Sequence, residues 1–237
     1  MLKNLLRKNI SDNYPKITIS LAYYNDGANL LAQLAAFNSY PQTVKIQIID
    51  DGSSQDPIDN HLEYIPHYID IFKIEPDIPW NIPGVRNLSA TVATTPWVLI
   101  LDMDQVISCE EMEKILRLPL DKYFHFYSFN RKLNNITKFT AGTMLVSKEL
   151  WWKAGGYDED FVGNYGYNDP FFRFRLLQAG GIEKKLKNIW VVQENADCQL
   201  SRSGKEMNQL LFQNKVNDYK HSAVEILRFK WKRFRRE

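Results

Sequence analysis

The chain has 237 residues, of which 44% are apolar, 13% aromatic and 24% charged. This is enough chain for one substantial hydrophobic core, and ordinary enough in composition to exclude a disordered, collagen-like or coiled-coil protein. Thirty basic and 28 acidic side chains leave a net charge of +2, too balanced for a general nucleic-acid binder. The balance is uneven. Residues 224–237 hold six basic side chains against Glu225 and Glu237, a local +4, and the remainder of the chain is then −2. Two cysteines, Cys109 and Cys198, are too few for a disulfide framework and fit a reducing, cytoplasmic setting. Met1–Ile10 has no long apolar run or small-residue cleavage site, so it does not read as a signal peptide. No apolar run is long enough for a spanning helix.

In chain order, Ile17–Tyr23 reads as a strand, followed by an Asp26-capped helix with Leu30, Leu34 and Phe37 on one face. Val44–Ile49 is a second strand, closed by the turn cluster Asp50-Asp51-Gly52-Ser53-Ser54, and Ile69–Ile74 a third. A proline-rich loop then leads to a short helix from about Arg86 to Ala93 and the almost wholly apolar strand Trp97–Leu101. An apolar run of this kind suits a strand covered on both faces, and the β-α-β-α-β alternation argues for a mostly parallel sheet between helices. Tyr123–Phe129 and Lys138–Val146 are further strands, and Ser147 opens a short helix. A Gly-rich aromatic loop runs from Gly155 to Tyr167, a helix from near Pro170 to Gln178 ends at Gly180-Gly181, and Asn188–Val192 is a last strand.

Four clusters could carry chemistry. Asp102-Met103-Asp104 follows the buried strand at its carboxyl end, where parallel sheets bind ligands. Residues i and i+2 of a strand share a face, so the two carboxylates would converge and could hold a hard divalent cation such as Mg2+ or Mn2+; a polar turn is the plain alternative. Asp50-Asp51-Gly52 lies at the same edge and could accept from a nucleobase N–H or a ribose hydroxyl, or be only a turn. In Tyr23-Tyr24-Asn25-Asp26, Tyr24 could stack on a base while Asn25 or Asp26 caps the helix. Arg86 opens the helix before the D-x-D strand and either reaches a phosphate or is merely solvated. Asp169, just before Pro170, is either a helix cap or a general base at the pocket rim.

The ordered set is more specific than any member. Tyr24-Asn25, Ile49-Asp50-Asp51-Gly52-Ser53, Gly84-Val85-Arg86-Asn87, Leu101-Asp102-Met103-Asp104, Gly155-Gly156-Tyr157-Asp158-Glu159-Asp160-Phe161 and Gly166-Tyr167-Asn168-Asp169 occur in that order. Over about residues 16–215 this resembles the GT-A glycosyltransferases, most closely family 2, with a second half similar to the galactosyltransferase C-terminal region. The resemblance implies a single α/β domain with a mixed central sheet flanked by helices. Its nucleotide-sugar half would occupy about 16–105 and its acceptor half about 106–215, within a domain of 1–222. It further implies inverting transfer from a nucleoside-diphosphate sugar, UDP-linked by expectation, to a hydroxyl of a glycan or lipid-linked acceptor.

By the same resemblance Tyr24, Asn25 and Asp51 would hold base and ribose with Arg86 near them. Asp102 would contact the donor ribose or sugar, Asp104 would ligate Mn2+ or Mg2+, and Asp169 would be the catalytic base. Two departures stand out. The family's acidic pair Glu-Asp is here Asn168-Asp169, leaving Asn168 a hydrogen-bonding substrate contact without charge. The metal-binding histidine of many relatives, after the strand Asn188–Val192, is also missing, so Glu194 or Asp197 substitutes or phosphates and water complete the shell. A sugar nucleotidyltransferase and a catalytically degenerate carbohydrate-binding protein are the alternatives. In the tail 223–237, Val224, Leu227, Trp231 and Phe234 recur at helical spacing, as a basic amphipathic helix lying on the inner face of an anionic membrane would require. A terminal helix packed on the body and a disordered end are the other options.

Overall fold

The computed structural model describes residues 16–133, 136–193, 202–220 and 225–234. Strands β1 (Ile17–Tyr23), β2 (Val44–Asp50), β3 (Asp70–Ile74) and β4 (Trp97–Asp102) form the parallel half of one sheet. Strands β5 (Gln105–Val106), β6 (His125–Leu133), β7 (Ile136–Ser147), β8 (Ile182–Gln193) and β9 (Trp231–Arg233) complete it in the order β5-β8-β6-β7-β4-β1-β2-β3-β9. β7 runs antiparallel to β4 and β6, and β8 runs parallel to β6. The sheet is therefore mixed. β1 lies between β2 and β4, both parallel to it and reached in opposite directions, so the crevice at its carboxyl end is a topological switch point.

Helices α1 (Gly27–Phe37) and α3 (Cys109–Leu116) cover one face of the sheet. Leu30, Leu34, Phe37, Met112 and Ile115 pack there against Ile19, Leu21, Ile48 and Leu99. Helices α2 (Ile82–Val92), α4 (Lys148–Lys153) and α5 (Asn168–Gln178) cover the other, where Ala90, Trp151, Phe172 and Leu176 meet Val98, Ile100, Phe126 and Val146. α2 sits close to the sheet because the side chains beneath it are small and satisfied. Ser20 Oγ donates to Ser89 Oγ at 2.7 Å, and Gln47 Nε2 donates to the Ser89 carbonyl at 2.8 Å. This seats the arginine of α2 at the sheet rather than in solvent.

Most strands match their sequence-based bounds because their apolar runs are dense. α2 begins four residues before Arg86, since Pro83 fits a first helical turn where no N–H is needed. α3 and a sixth helix, α6 (Lys205–Asn217), are additions the sequence pattern did not reveal.

The tail differs most from expectation. Residues 225–234 contain no helix among the described residues; Trp231–Arg233 instead pairs antiparallel with β3. An open sheet edge offers unpaired N–H and C=O groups, and the tail satisfies them. Three of its apolar side chains face the body: Leu227 and Phe229 pack with Val85 and Leu88, and Phe234 packs against the core under β3, while Trp231 lies 37% exposed with its ring against Phe72. Arg228 pairs with Asp160 at 2.8 Å, Lys232 with Glu75 at 3.4 Å, and Arg233 with Asp70. Leu227, Phe234 and half of the cations are thus taken up by the fold, and the described tail is not the basic amphipathic helix expected. Val224 lies outside the described residues. No helix among the described residues is long and apolar enough to cross a membrane.

Candidate active site

Three strand ends meet at the switch point. β1 delivers Tyr24 and Asn25, β2 delivers Asp50 and Asp51, and β4 ends at Asp102. In the first two, most side chains shape the loops around the crevice. Asn25 has a left-handed φ of 49°, and its Oδ1 accepts from the backbone N–H of Gln55 and Asp56 at 2.9 and 2.8 Å. Its own N–H donates to Ser53 Oγ at 2.9 Å, so Asn25 holds the 53–56 loop in place. Asp26 is the cap of α1, accepting from the Asn29 N–H at 3.3 Å. Asp50 is fully buried and accepts from the N–H of Ser53 and of Ile58, a structural task. Tyr24 donates its hydroxyl to Asp77 at 3.1 Å, which fixes the ring at the rim.

Asp51 is different. Only 4% of it is exposed, Oδ1 accepts from Asn81 Nδ2 at 2.9 Å, and no cation is paired with it among the described residues. Burial, reinforced by the nearby Asp50 and Asp77 charges and opposed by the Asn81 hydrogen bond, pushes its carboxyl up to about 7. Gly52 beside it adopts φ 73°, and a Cβ there would come within 2.5 Å of the Pro76 carbonyl oxygen. The turn is therefore closed around Asp51 by the 76–81 loop.

The second cluster is built on α2, β4, β7 and α5. Arg86 is 1% exposed, and its guanidinium pairs with Asp102 while Nη1 and Nη2 also reach the carbonyls of Leu101 and Gly142 at 3.4 Å. The sequence suggests that Arg86 reaches a phosphate near Tyr24 and Asp51 or is solvated; its contacts with Asp102, Leu101 and Gly142 place it in this second cluster, deeply buried. Asp102 Oδ2 accepts from Gln105 Nε2 at 2.8 Å, and Gln105 Oε1 accepts from Thr143 Oγ1 at 2.5 Å. Gly142 has to be glycine here, because a Cβ would lie 2.4 Å from Asp102 Oδ2.

Asp169 completes the cluster. The residue at the cap position of α5 is Tyr167, in the left-handed region at φ 63°, so Asp169 belongs to the first turn and does not cap it. Its carboxylate accepts instead from the hydroxyl of Tyr157 at 2.8 Å. Tyr157 is fully buried, stacked on Phe172 at 4.1 Å, and anchored through its backbone N–H to Asn87 Oδ1 at 2.8 Å. Burial raises the Asp169 carboxyl to about 6, with the positive charge of Arg86 pulling it down and the negative charge of Asp102 pushing it up. Part of Asp169 remains accessible, as a proton acceptor for an incoming molecule requires. Asn168 before it is almost buried at the start of the helix.

The D-x-D segment does not form the strand-like pair expected. β4 ends at Asp102 and Met103-Asp104 make a turn, so the two-residue alternation stops between the two carboxylates. Both Asp102 oxygens are engaged by N–H donors of Arg86 and Gln105. Among the described residues no group of three His, Cys, Asp or Glu side chains is placed to hold a metal ion. Glu194 and Asp197 lie outside the described residues. Tyr157, Gln105, Asn81 and Gly142 had no assigned role in the sequence. Tyr157 sat inside a motif already singled out, whereas nothing local marks the other three.

An α/β sheet with acidic side chains gathered at its switch point, an antiparallel extension beyond β4 and a covering helix that begins at a carboxylate is the GT-A glycosyltransferase fold. The family model for glycosyl transferase family 2 matches residues 18–184, and the chain belongs to that family. Among solved structures it is similar to GalNAc-T7, crystallised with UDP, GalNAc and Mn2+, at TM-score 0.65 and 13% identity over 76% of this chain and 44% of that one. It is also similar to TarS of S. aureus, at TM-score 0.62 and 13% identity over 86% of this chain and 44% of that one. The chain thus spans less than half the length of either neighbour. No curated protein sequence matches it significantly.

Proposed function

We propose that the chain transfers a sugar from a nucleoside-diphosphate sugar to a hydroxyl of a glycan or glycolipid acceptor, with inversion at the anomeric carbon and Asp169 as the base. One observation carries this reading. A partly accessible carboxylate poised near pH 6 stands beside the half-exposed Asp102 and the buried Arg86 paired with it, at the switch point of the sheet. Asp51 would accept from a base N–H, with Tyr24 at the rim beside it and Asn25 shaping their loop; Asn168 would contact substrate next to Asp169. Asp102, held rigid by Arg86 and Gln105, would receive donor ribose or sugar hydroxyls on its exposed side.

In the transfer step the acceptor oxygen forms a bond to the anomeric carbon as the bond from that carbon to the diphosphate oxygen breaks. The leaving diphosphate takes the bonding electron pair, and Asp169 takes the acceptor's proton. Above about pH 6 Asp169 is ionised, and Tyr157 and Arg86 stabilise that form. Asp104, in the turn after β4, would hold a cation together with diphosphate oxygens and water, a donor set that suits Mg2+ or Mn2+. Such a cation would supply charge neutralisation to the leaving diphosphate.

A UDP-linked hexose donor is supported by the UDP and GalNAc bound in the GalNAc-T7 structure. The test is incubation of the full chain with a panel of nucleotide sugars and acceptors. Release of a nucleoside diphosphate and a product of opposite anomeric configuration by NMR is expected. Release of pyrophosphate, or retained configuration, would overturn the proposal.

A further inference from the structure

The sheet continues past the active-site edge as a projecting ladder of β6, β7 and β8. Its register departs from regularity where it passes the site. Ser128 of β6 faces Met144 of β7, but Asn130 faces Phe139; on the other side Phe129 faces Leu186 and Asn130 faces Trp190. β6 itself is unbroken, so Phe126, Ser128, Asn130 and Lys132 share one face. Phe126 packs under α4 and α5, which identifies that face as the one carrying Asp169, Tyr157 and Arg86. Asn130, Phe139, Trp190 and Lys132 therefore form a floor running on from the N-terminal end of α5. By strand spacing, β6 lies two strands from β4 and hence about 10 Å from Asp102.

The ladder that carries this floor is positively charged. Segments 130–133, 136–139 and 182–193 carry Arg131, Lys132, Lys138, Lys184, Lys185 and Lys187 against Glu183 alone, a net +5 over both faces, and the register puts Lys132 and Lys185 on the floor itself. Glu183 is already paired with Arg173 and hydrogen-bonded by Ser128. Among the described residues none of the six cations forms an ion pair with a carboxylate. Lys185 stands over the Phe139 ring at 5.6 Å and Lys132 over the Trp190 ring at 5.5 Å. A ring positions an ammonium group without cancelling its charge, so both remain available to an anion.

Lysines on β8 have a plainer use, since an edge strand is kept from pairing with other chains by charge. That does not account for Lys132, which lies on β6 between β7 and β8, nor for Phe139, which is 44% exposed beside it.

We infer that this floor is the acceptor wall, and that the acceptor is an anionic saccharide whose phosphate or carboxylate groups sit on Lys132 and Lys185 while a hydroxyl reaches Asp169. The inference rests on the proposed transfer reaction for its last clause only, and its test separates the two. Calorimetry on the full chain compares a uronate hexasaccharide, a sugar-phosphate oligomer and a neutral hexasaccharide, none of which needs turnover. The wild type should prefer one or both anionic probes, and the difference between them identifies the anion. K132A/K185A should weaken that binding about tenfold or more, while K184A, on the opposite face, should leave it unchanged. Raising the salt concentration should weaken the anionic probes only. Donor hydrolysis and donor KM, measured on the same samples, should be equal in all three proteins; loss of hydrolysis in the wild type would overturn the transfer reading and leave the binding result standing. Equal affinity for the neutral probe, or an unchanged K132A/K185A, would overturn the inference.

Discussion

Replacing Asp51 by asparagine separates what the site needs from what the fold prefers. Asp51 is 4% exposed, and its carboxyl stands at about 7 against an ordinary 3.8, mainly through burial. The folded protein therefore binds a proton more tightly than the unfolded chain between about pH 4 and pH 7. Stability must fall as pH rises through that window and stay reduced above it. A shift of about three pH units corresponds to about 4 kcal/mol. Asparagine has nearly the same shape, carries no charge at any pH, and its Oδ1 can keep the 2.9 Å bond from Asn81 Nδ2. D51N should match the wild type near pH 4 and exceed it above pH 8 by up to about 4 kcal/mol, about 10 °C in Tm for a chain of this size. Urea unfolding followed by tryptophan fluorescence from pH 4 to pH 9 measures this, because titrating groups that do not interact with Asp51 cancel in the difference, leaving Asp51 with its neighbours Asp50 and Asp77. The donor KM should rise at the same time, as a site that favours function over stability would show. A difference that does not change with pH, or a D51N less stable than the wild type at pH 8, would refute the reasoning.

Other substitutions probe the second cluster and the tail. G142A places a Cβ 2.4 Å from Asp102 Oδ2 and should displace the Arg86–Asp102 pair, lowering kcat/KM about a hundredfold with secondary structure intact by circular dichroism. Y157F removes the hydroxyl that donates to Asp169, which lowers that carboxyl's pKa, so the acidic limb of the kcat/KM profile should move up by about one pH unit. E159A removes the buried carboxylate that accepts from three donors, Asn87 Nδ2, Leu227 N–H and Arg228 N–H, at 2.9, 2.8 and 3.2 Å. It should cost about 3 kcal/mol in urea unfolding and expose 225–234 to limited proteolysis.

The parallel half of the sheet was legible because its strands are dense apolar runs and its turns carry Asp, Asn and Gly. β1 matches its expected span, and Asp26 caps α1 as its position suggested. Family and fold were legible from motif order. What the sequence could not convey was pairing across distance. Arg86 looks the same whether it faces solvent or lies under a helix, and only the closeness of α2 to the small Ser20 and Ser89 buries it against Asp102. The D-x-D spacing suggested a strand pair, but the chain turns after Asp102. The tail misled for a related reason. Leu227, Trp231 and Phe234 are spaced like one helix face, yet an unpaired β3 edge and the Glu159 carboxylate capture the segment in extended form. The charge balance conceals the same kind of division, with Arg228, Lys232 and Arg233 of the tail paired to body carboxylates and a second basic region on the ladder beside the site.

The account's central claim is that Asp169 accepts the acceptor's proton. The most direct measurement is the single-turnover transfer rate of D169N and wild type with the same nucleotide sugar and acceptor, across pH 4.5 to 9, alongside donor affinity. Asparagine can still accept from Tyr157 but cannot take a proton. The account predicts a wild-type rate that rises through about pH 6, a D169N rate about a thousandfold lower with no such rise, and equal donor affinity in both. A D169N rate within a few-fold of the wild type, with the rise near pH 6 preserved, would contradict it.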